Sequence, residues 1–327
     1  MSRSLVVRNG LDLEAKFSTI GAGLIGLTYK GTPVILQPKS LEVFNESNHY
    51  YGKTLGRVAG RIPSHFSIGR HEYDVISNEP NGVNCHSSGI ESLSFKKWNV
   101  YIANKPQGNF VIFTYISKDG ESGFPGDVEF KVTYFLPANK NEIQVFQKAR
   151  SSQDTPISMS FHPYFNLGGE KDINNYTLQI NASKYGVFKD GTLLIKEIGD
   201  IPSYLDFRKP SKIKGKMDKI VKTIPFPGTI DHFFLFDDKN VEQPQIILSN
   251  GKTKLEVLTD YEGTNIYVDC SKSDEEFVNG DNLLDRRAIA IEPQNNRIPF
   301  SSIILKAGQK YSHFMTYRFS DVEKEGK

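Results

Sequence analysis

The chain has 327 residues, 38% hydrophobic and 24% charged, with 40 basic and 38 acidic residues for a net charge of +2. This composition fits a soluble folded protein with a large core, and the near-balanced charge supplies no field that would draw nucleic acid or an anionic membrane surface, so neither is expected as a partner. No apolar run approaches the ~20 residues of a membrane span, Leu5 to Val7 is too short for a signal-peptide core, and the two cysteines, Cys85 and Cys270, make no disulfide framework. A cytoplasmic protein with reduced thiols is the expectation.

In chain order, the first segment of interest is GRVAGRI, residues 56–62. Arg57 and Arg61 lie four apart and would share one face of a strand, while Gly56 and Gly60 allow tight turns or close ligand approach. Arginine forks suit carboxylates or sugar hydroxyls. Arg57 reads as structural; Arg61 reads equally as structural or as a ligand donor. NCHSSG, residues 84–89, sets His86 beside Cys85. Neighbours in an extended chain point to opposite faces, which argues against a Cys–His dyad. His86 is then either a core histidine or a site residue.

The next stretches alternate with period two. FVIFTYIS (110–117) is apolar on both faces, as for a strand sandwiched between layers. In FKVTYFL, Phe130, Val132, Tyr134 and Leu136 share a face, and EIQVFQ (142–147) and NYTLQIN, with Tyr176, Leu178 and Ile180, repeat the pattern. Turn signals separate such runs: Lys118-Asp119-Gly120, Lys189-Asp190-Gly191, Ser249-Asn250-Gly251 and Ala307-Gly308. Between them lies SFHPYFNLGG (160–169), where His162 sits among aromatics, either filling a core or donating a proton at a pocket rim. RKPSKIKGKMDKIVK (208–222), with seven basic residues and one acid, reads as a solvated connection. It lacks the aromatics that base stacking needs.

TIDHFFLFDD (229–238) places Asp231 before an aromatic run, either as a turn former or as an acceptor for ligand hydroxyls, with His232 facing away. Residues 271–287 read as a polar loop and the C-terminal EKEGK as a frayed tail. AIAIEPQ (288–294) is a buried strand ending in Glu292, with Pro293 expected to stop regular pairing. Burial without a partner would raise this carboxyl toward the range of a general base, whereas a salt bridge to arginine would make it structural. The seven histidines show no zinc-site spacing, so no metal is expected. No linker divides the chain and no long amphipathic helix is evident. Many short strands predict a single β-sandwich or barrel domain over residues 1–327.

Taken in order, GRVAGRI, His86 with Trp98 twelve residues on, HPYFNLGG, LDFR, IDHFF, IEPQ and LKAGQKYSHFMTYRF resemble the aldose 1-epimerase (galactose mutarotase) family, from about residue 10 to 319. The resemblance implies an all-β fold, a large and mostly antiparallel β-sandwich with few short helices and a sugar cleft on one side. It implies an isomerase that interconverts α and β anomers of a free aldose such as galactose or glucose, without a cofactor. Ring opening needs a base for the C1 hydroxyl proton and an acid for the ring oxygen. By resemblance Glu292 is the base, His162 the acid and His86 a second histidine near the reacting atoms. Arg61 then donates to sugar hydroxyls and Asp231 accepts from others. At ordinary values of ~6.5 and ~4.3 the imidazole is charged when the carboxylate is, and Glu292 or Asp231 would help His162 keep its proton.

Three departures from the family pattern bear on the sugar: Gly60 where many members carry Asn, Ser87-Ser88 where a glycine pair is common, and Tyr261 where some carry a substrate-binding Gln. All three are expected at the sugar-binding end. Two other functions fit the same residues. A hexose-phosphate epimerase of this fold would need an arginine cluster, for which Arg57, Arg286, Arg287 and Arg297 are the candidates. A carbohydrate-binding protein without catalysis would need only the pocket.

Overall fold

The computed structural model describes residues 4–223, 227–270, 275–278 and 286–323. Two antiparallel sheets dominate. The larger has nine strands, in spatial order Asn99–Lys105, Gly108–Ser117, Val128–Pro137, Glu142–Ser151, Lys310–Asp321, Thr253–Thr259, Ile246–Ser249, Thr177–Ile180 and Ser211–Lys212. The smaller has six: Tyr164–Phe165, Ile289–Gln294, Gly263–Val268, Asp231–Leu235, Lys184–Phe188 and Ile195–Asp200. A four-stranded sheet is formed by residues 4–33.

The period-two pattern becomes one buried face per strand. Phe130, Val132, Tyr134 and Leu136 are buried while Glu129 and Lys131 are exposed. A continuous apolar core joins residues of the nine-stranded sheet, such as Phe113, Tyr134 and Tyr317, to Phe165, Ile266 and Ile291 of the six-stranded sheet. Polar atoms inside it are bonded: the Tyr134 hydroxyl donates to the Ala22 carbonyl at 2.7 Å and Trp98 Nε1 to the Leu93 carbonyl at 3.1 Å.

Three local expectations are corrected. The strand holding 110–117 buries Val111 and Phe113 but leaves Ile116 54% exposed, so its second face meets solvent. Pro293 does not end pairing; it sits opposite Thr264, and the strand runs on to Gln294 opposite Gly263. Within the basic stretch, Ile213–Thr223 is a helix. Ile213, Met217 and Ile220 are buried at helical spacing beneath an exposed lysine face, a stripe that the charge density hides. Most of residues 271–287, and all but the first residue of the terminal EKEGK, lie outside the described residues.

Candidate active site

The pocket that gathers the sequence candidates has a volume of about 440 Å³ and is lined by residues from four adjoining strands of the six-stranded sheet, Tyr164, Glu292, Asn265 with Tyr267, and Asp231. Its position follows from register. Asn265 pairs with Glu292 and Tyr267 with Asp231, so adjacent strands deliver a carboxyl, an amide, a phenol and a second carboxyl to one face. His162 follows the short strand Ser160–Phe161; its backbone N–H bonds to the Lys53 carbonyl at 3.0 Å and its carbonyl accepts from Gly52 at 2.8 Å. Arg61 opens the strand Arg61–Pro63, which pairs with Val83–Cys85, the strand running into His86.

His162 Nε2 lies 3.4 Å from Glu292 Oε1. The two are 4% and 1% exposed, and Glu292 Oε2 has no hydrogen-bond partner among the described residues. Burial, aided by the Asp231 carboxylate, pushes Glu292 up to about 8 despite Arg61 and Arg297. Burial likewise pushes His162 down to about 3, outweighing Asp231. The ordering drawn from unperturbed values is therefore inverted: the carboxyl holds the proton and the imidazole is neutral. The reason is desolvation, which disfavours both charged forms together. Neutral acid with neutral imidazole and carboxylate with imidazolium contain the same proton, so the pair switches between them by one internal transfer.

His86 is fixed as a donor. The Gly60 N–H donates to its Nδ1 at 3.0 Å, which leaves the proton of the neutral ring on Nε2. Burial first, then the nearby His162 ring, which a second imidazolium would oppose, and the Arg61 and Arg297 charges keep it neutral. The two histidine rings are 5.7 Å apart at 78°, with Tyr50 5.0 Å from His86 and Tyr164 4.7 Å from His162. Both Tyr50 and His86 have left-handed backbones, φ 57° and 51°, a strained state for residues with side chains. That turn lets Cys85 and His86 both line the pocket, contrary to simple alternation. Cys85 supplies no nucleophile, because burial pushes its thiol well up.

Arg61 is clamped between two acids, Glu79 at 2.8 Å and Asp231 at 3.1 Å. Burial pushes the Asp231 carboxyl up, but Arg61 and the Asn265 amide, which donates to Oδ1 at 3.0 Å, hold it below its ordinary value. Asp231 thus stays an acceptor. Arg57 parts from Arg61 and is structural, donating to Ser117 Oγ and to the carbonyls of Pro125, Lys118 and Gly126.

The structure does not bring Tyr261 to the pocket. Its hydroxyl donates to Gln147 Oε1 at 2.7 Å and meets the Tyr311 hydroxyl at 2.9 Å inside the core. Asn265 is the amide that reaches the site, and a polar residue in the middle of the apolar run TNIYV was its signal. Ser87 and Ser88 also turn away. Their left-handed backbones, φ 59° and 86°, explain why glycine would suit them. Here Ser87 Oγ accepts from the Val58 N–H at 2.8 Å and Ser88 Oγ from Asn84 Nδ2 at 2.6 Å. Glu79, Tyr50 and Tyr164 join the lining without having been singled out.

His86, His162 and Glu292 have possible ligand atoms within 4.8 Å of one another, so a metal must be tested. The fit is poor: binding through His86 Nε2 would move its proton to Nδ1, against the Gly60 N–H. A phosphate site fits no better. Among the described lining residues the one guanidinium is Arg61, already doubly paired; Arg286 is held by Asp218 at 3.1 Å and Arg287 stacks on Phe277. A second depression, about 490 Å³, lies on the solvent face of the nine-stranded sheet near Lys131 and Lys148 and contains none of these groups.

Fold and site together define a β-sandwich protein whose pocket sets a carboxyl beside an imidazole among further polar side chains, a pairing suited to acid–base chemistry. The family model described as aldose 1-epimerase matches residues 3–318, and the chain belongs to that family of isomerases. It is 28% identical to galactose mutarotase of Homo sapiens over 89% of this chain and 85% of that protein. It is 27% identical to aldose 1-epimerase of Escherichia coli K12 over 97% and 95%. In fold it is similar to galactose 1-epimerase from Lactobacillus acidophilus, with a TM-score of 0.89 at 23% identity, covering 98% of this chain and 95% of that one. No described helix is long and apolar enough to cross a membrane.

Proposed function

We propose that this protein interconverts the α and β anomers of a free, unphosphorylated aldose of hexose size, galactose or glucose, and that Glu292 and His162 move the two protons. The observation that carries this reading is their 3.4 Å approach at the floor of the pocket, with one carboxyl oxygen left unbonded.

A sugar hydroxyl donating to Glu292 supplies the missing hydrogen bond and favours the carboxylate, so the proton passes to His162. Glu292 then takes the C1 hydroxyl proton while His162 gives its own to the ring oxygen, and the ring opens. Rotation about the bond to C1 turns the carbonyl over. Reversal of both transfers closes the ring on the other face and restores the pair. His86 offers a neutral Nε2–H beside His162, suited to steadying the oxygen as charge develops. Arg61 retains N–H donors beyond its two ion pairs, and Asp231 and Asn265 offer an acceptor and an amide for the remaining sugar hydroxyls. No step calls for a cofactor.

The test is polarimetry on freshly dissolved α-galactose and α-glucose, with glucose 6-phosphate for comparison. Glu292→Gln is expected to lower the catalysed rate by roughly 10²–10⁴, the worth of a positioned acid or base, and His162→Asn comparably, with circular dichroism unchanged. Exchange at the wild-type rate in Glu292→Gln would overturn the assignment. Saturable sugar binding with no exchange by the wild type would make the protein a binder.

A further inference from the structure

A second guanidinium, Arg297, lies behind the same pocket, and the chemistry above makes no use of it. The residue is 6% exposed, and among the described residues its Nε has no hydrogen-bond partner and no carboxylate lies within ion-pair distance. A buried cation without a paired anion is costly, so its place needs a reason.

Besides the Phe233 ring, whose centroid is 5.8 Å from Cζ, its contacts run in two directions. Nη1 donates to Gln294 Oε1, and the Gln294 amide donates in turn to the Glu292 carbonyl at 3.3 Å. On the other side stands Gly60, with φ +73°. A Cβ built there would lie 2.7 Å from Cζ and from both Nη atoms of Arg297. Gly60 also grips His86 through both backbone groups, its N–H donating to Nδ1 and its carbonyl accepting the His86 N–H, each at 3.0 Å. The guanidinium therefore fills the notch left by a missing side chain, between the loop that fixes His86 and the strand that carries Glu292.

We infer that Arg297 is a positioning residue for the isomerisation proposed above: seated in the Gly60 notch, it ties the base-bearing strand to the His86 loop and turns a positive charge toward the carboxyl. The inference rests on that reading of the site. The charge has the right sign. Glu292 is faced by His162, Tyr164, Asp231, Arg61 and Tyr317, of which Asp231 pushes it up and Arg61 pulls it down; Arg297 adds to the downward pull. Burial brings Arg297 itself down to about 10, so it remains charged at neutral pH.

Three variants test it: Arg297→Met, Arg297→Lys and Gly60→Ala. Replacing a buried cation that has no paired anion by Met fills the space at the loss of one hydrogen bond, that to Gln294 Oε1, so the protein is expected to fold. In Arg297→Met the alkaline limb of kcat/KM should move up by about one pH unit, with kcat at neutral pH down about tenfold because the carboxylate–imidazolium form is disfavoured, and KM within about twofold. Arg297→Lys should restore the limb toward the wild type. Gly60→Ala should lower kcat more in the wild-type background, where its Cβ meets the guanidinium, than in Arg297→Met, where only the strain of the left-handed backbone remains.

The Glu292 carboxyl, followed by ¹³C NMR in the free protein, should titrate higher in Arg297→Met. That readout does not need turnover. A wild type that leaves exchange at its spontaneous rate refutes the isomerase reading, and the NMR titration then still decides on Arg297. An unmoved Glu292 titration in Arg297→Met, or losses that add between Gly60→Ala and Arg297→Met, would overturn the inference.

Discussion

Replacing Glu292 by Gln should stabilise the protein at alkaline pH while it removes activity. The carboxyl is buried and held up from 4.5 to about 8. Between those values the unfolded chain ionises this group and the folded chain does not, so folding loses stability as pH rises toward 8. At about 1.36 kcal/mol per pH unit, that span corresponds to at most roughly 5 kcal/mol, and relaxation of the denatured state trims it. His162, pushed from 6.5 to about 3, acts in the opposite window: its contribution is lost as pH falls from 6.5 toward 3. The glutamine variant keeps the volume and the polarity but has nothing to ionise. Urea unfolding of both proteins at about pH 4 and about pH 8 measures the effect. The variant should match the wild type at the lower pH and exceed it by a few kcal/mol at the higher, within that ceiling. A difference that is the same at both values, or a variant less stable at the higher one, would show that Glu292 is not held protonated by burial.

The same titration governs turnover. The kcat/KM profile, which reports the free enzyme, should hold through neutral pH and fall as pH rises through about 8, where the pair loses the one proton it needs, whereas the same limb in kcat should lie at lower pH because bound sugar favours the carboxylate; coincident limbs would contradict the second point. Tyr261→Phe removes a hydroxyl bonded to Gln147 and Tyr311, and should cost roughly 1–3 kcal/mol of stability in a thermal melt while KM for the sugar stays unchanged. Arg57→Met strips the donors from Ser117 and three carbonyls, and should destabilise by a similar roughly 1–3 kcal/mol or more with the pH profile intact, as chevron and rate measurements would show.

The sheets were legible because alternation leaves a direct mark: Phe130 to Leu136 reads as one buried face, and Glu292 stands out as a carboxyl closing an apolar strand. His162 was legible through its aromatic company, and resemblance ordered the pair into acid and base. What failed has physical causes. The helix Ile213–Thr223 carries its apolar stripe on three residues among many lysines, so composition outweighed period. Tyr261 was placed by position in the chain, but a phenol two residues from Thr259 found core partners instead. Asn265 and Arg297 owe their roles to pairing across strands and to a missing side chain at Gly60, neither of which appears in any one segment. The inverted proton ordering is a property of burial, which unperturbed values cannot express.

Where a sugar lies relative to His162 and Glu292 decides whether these two side chains move the protons. A crystal structure of Glu292→Gln with galactose bound should place the ring oxygen within hydrogen-bond reach of His162 and the C1 hydroxyl against the residue at 292, with Arg61, Asp231 and Asn265 on the remaining hydroxyls. A sugar seated elsewhere, or one whose C1 points away from position 292, would contradict that assignment.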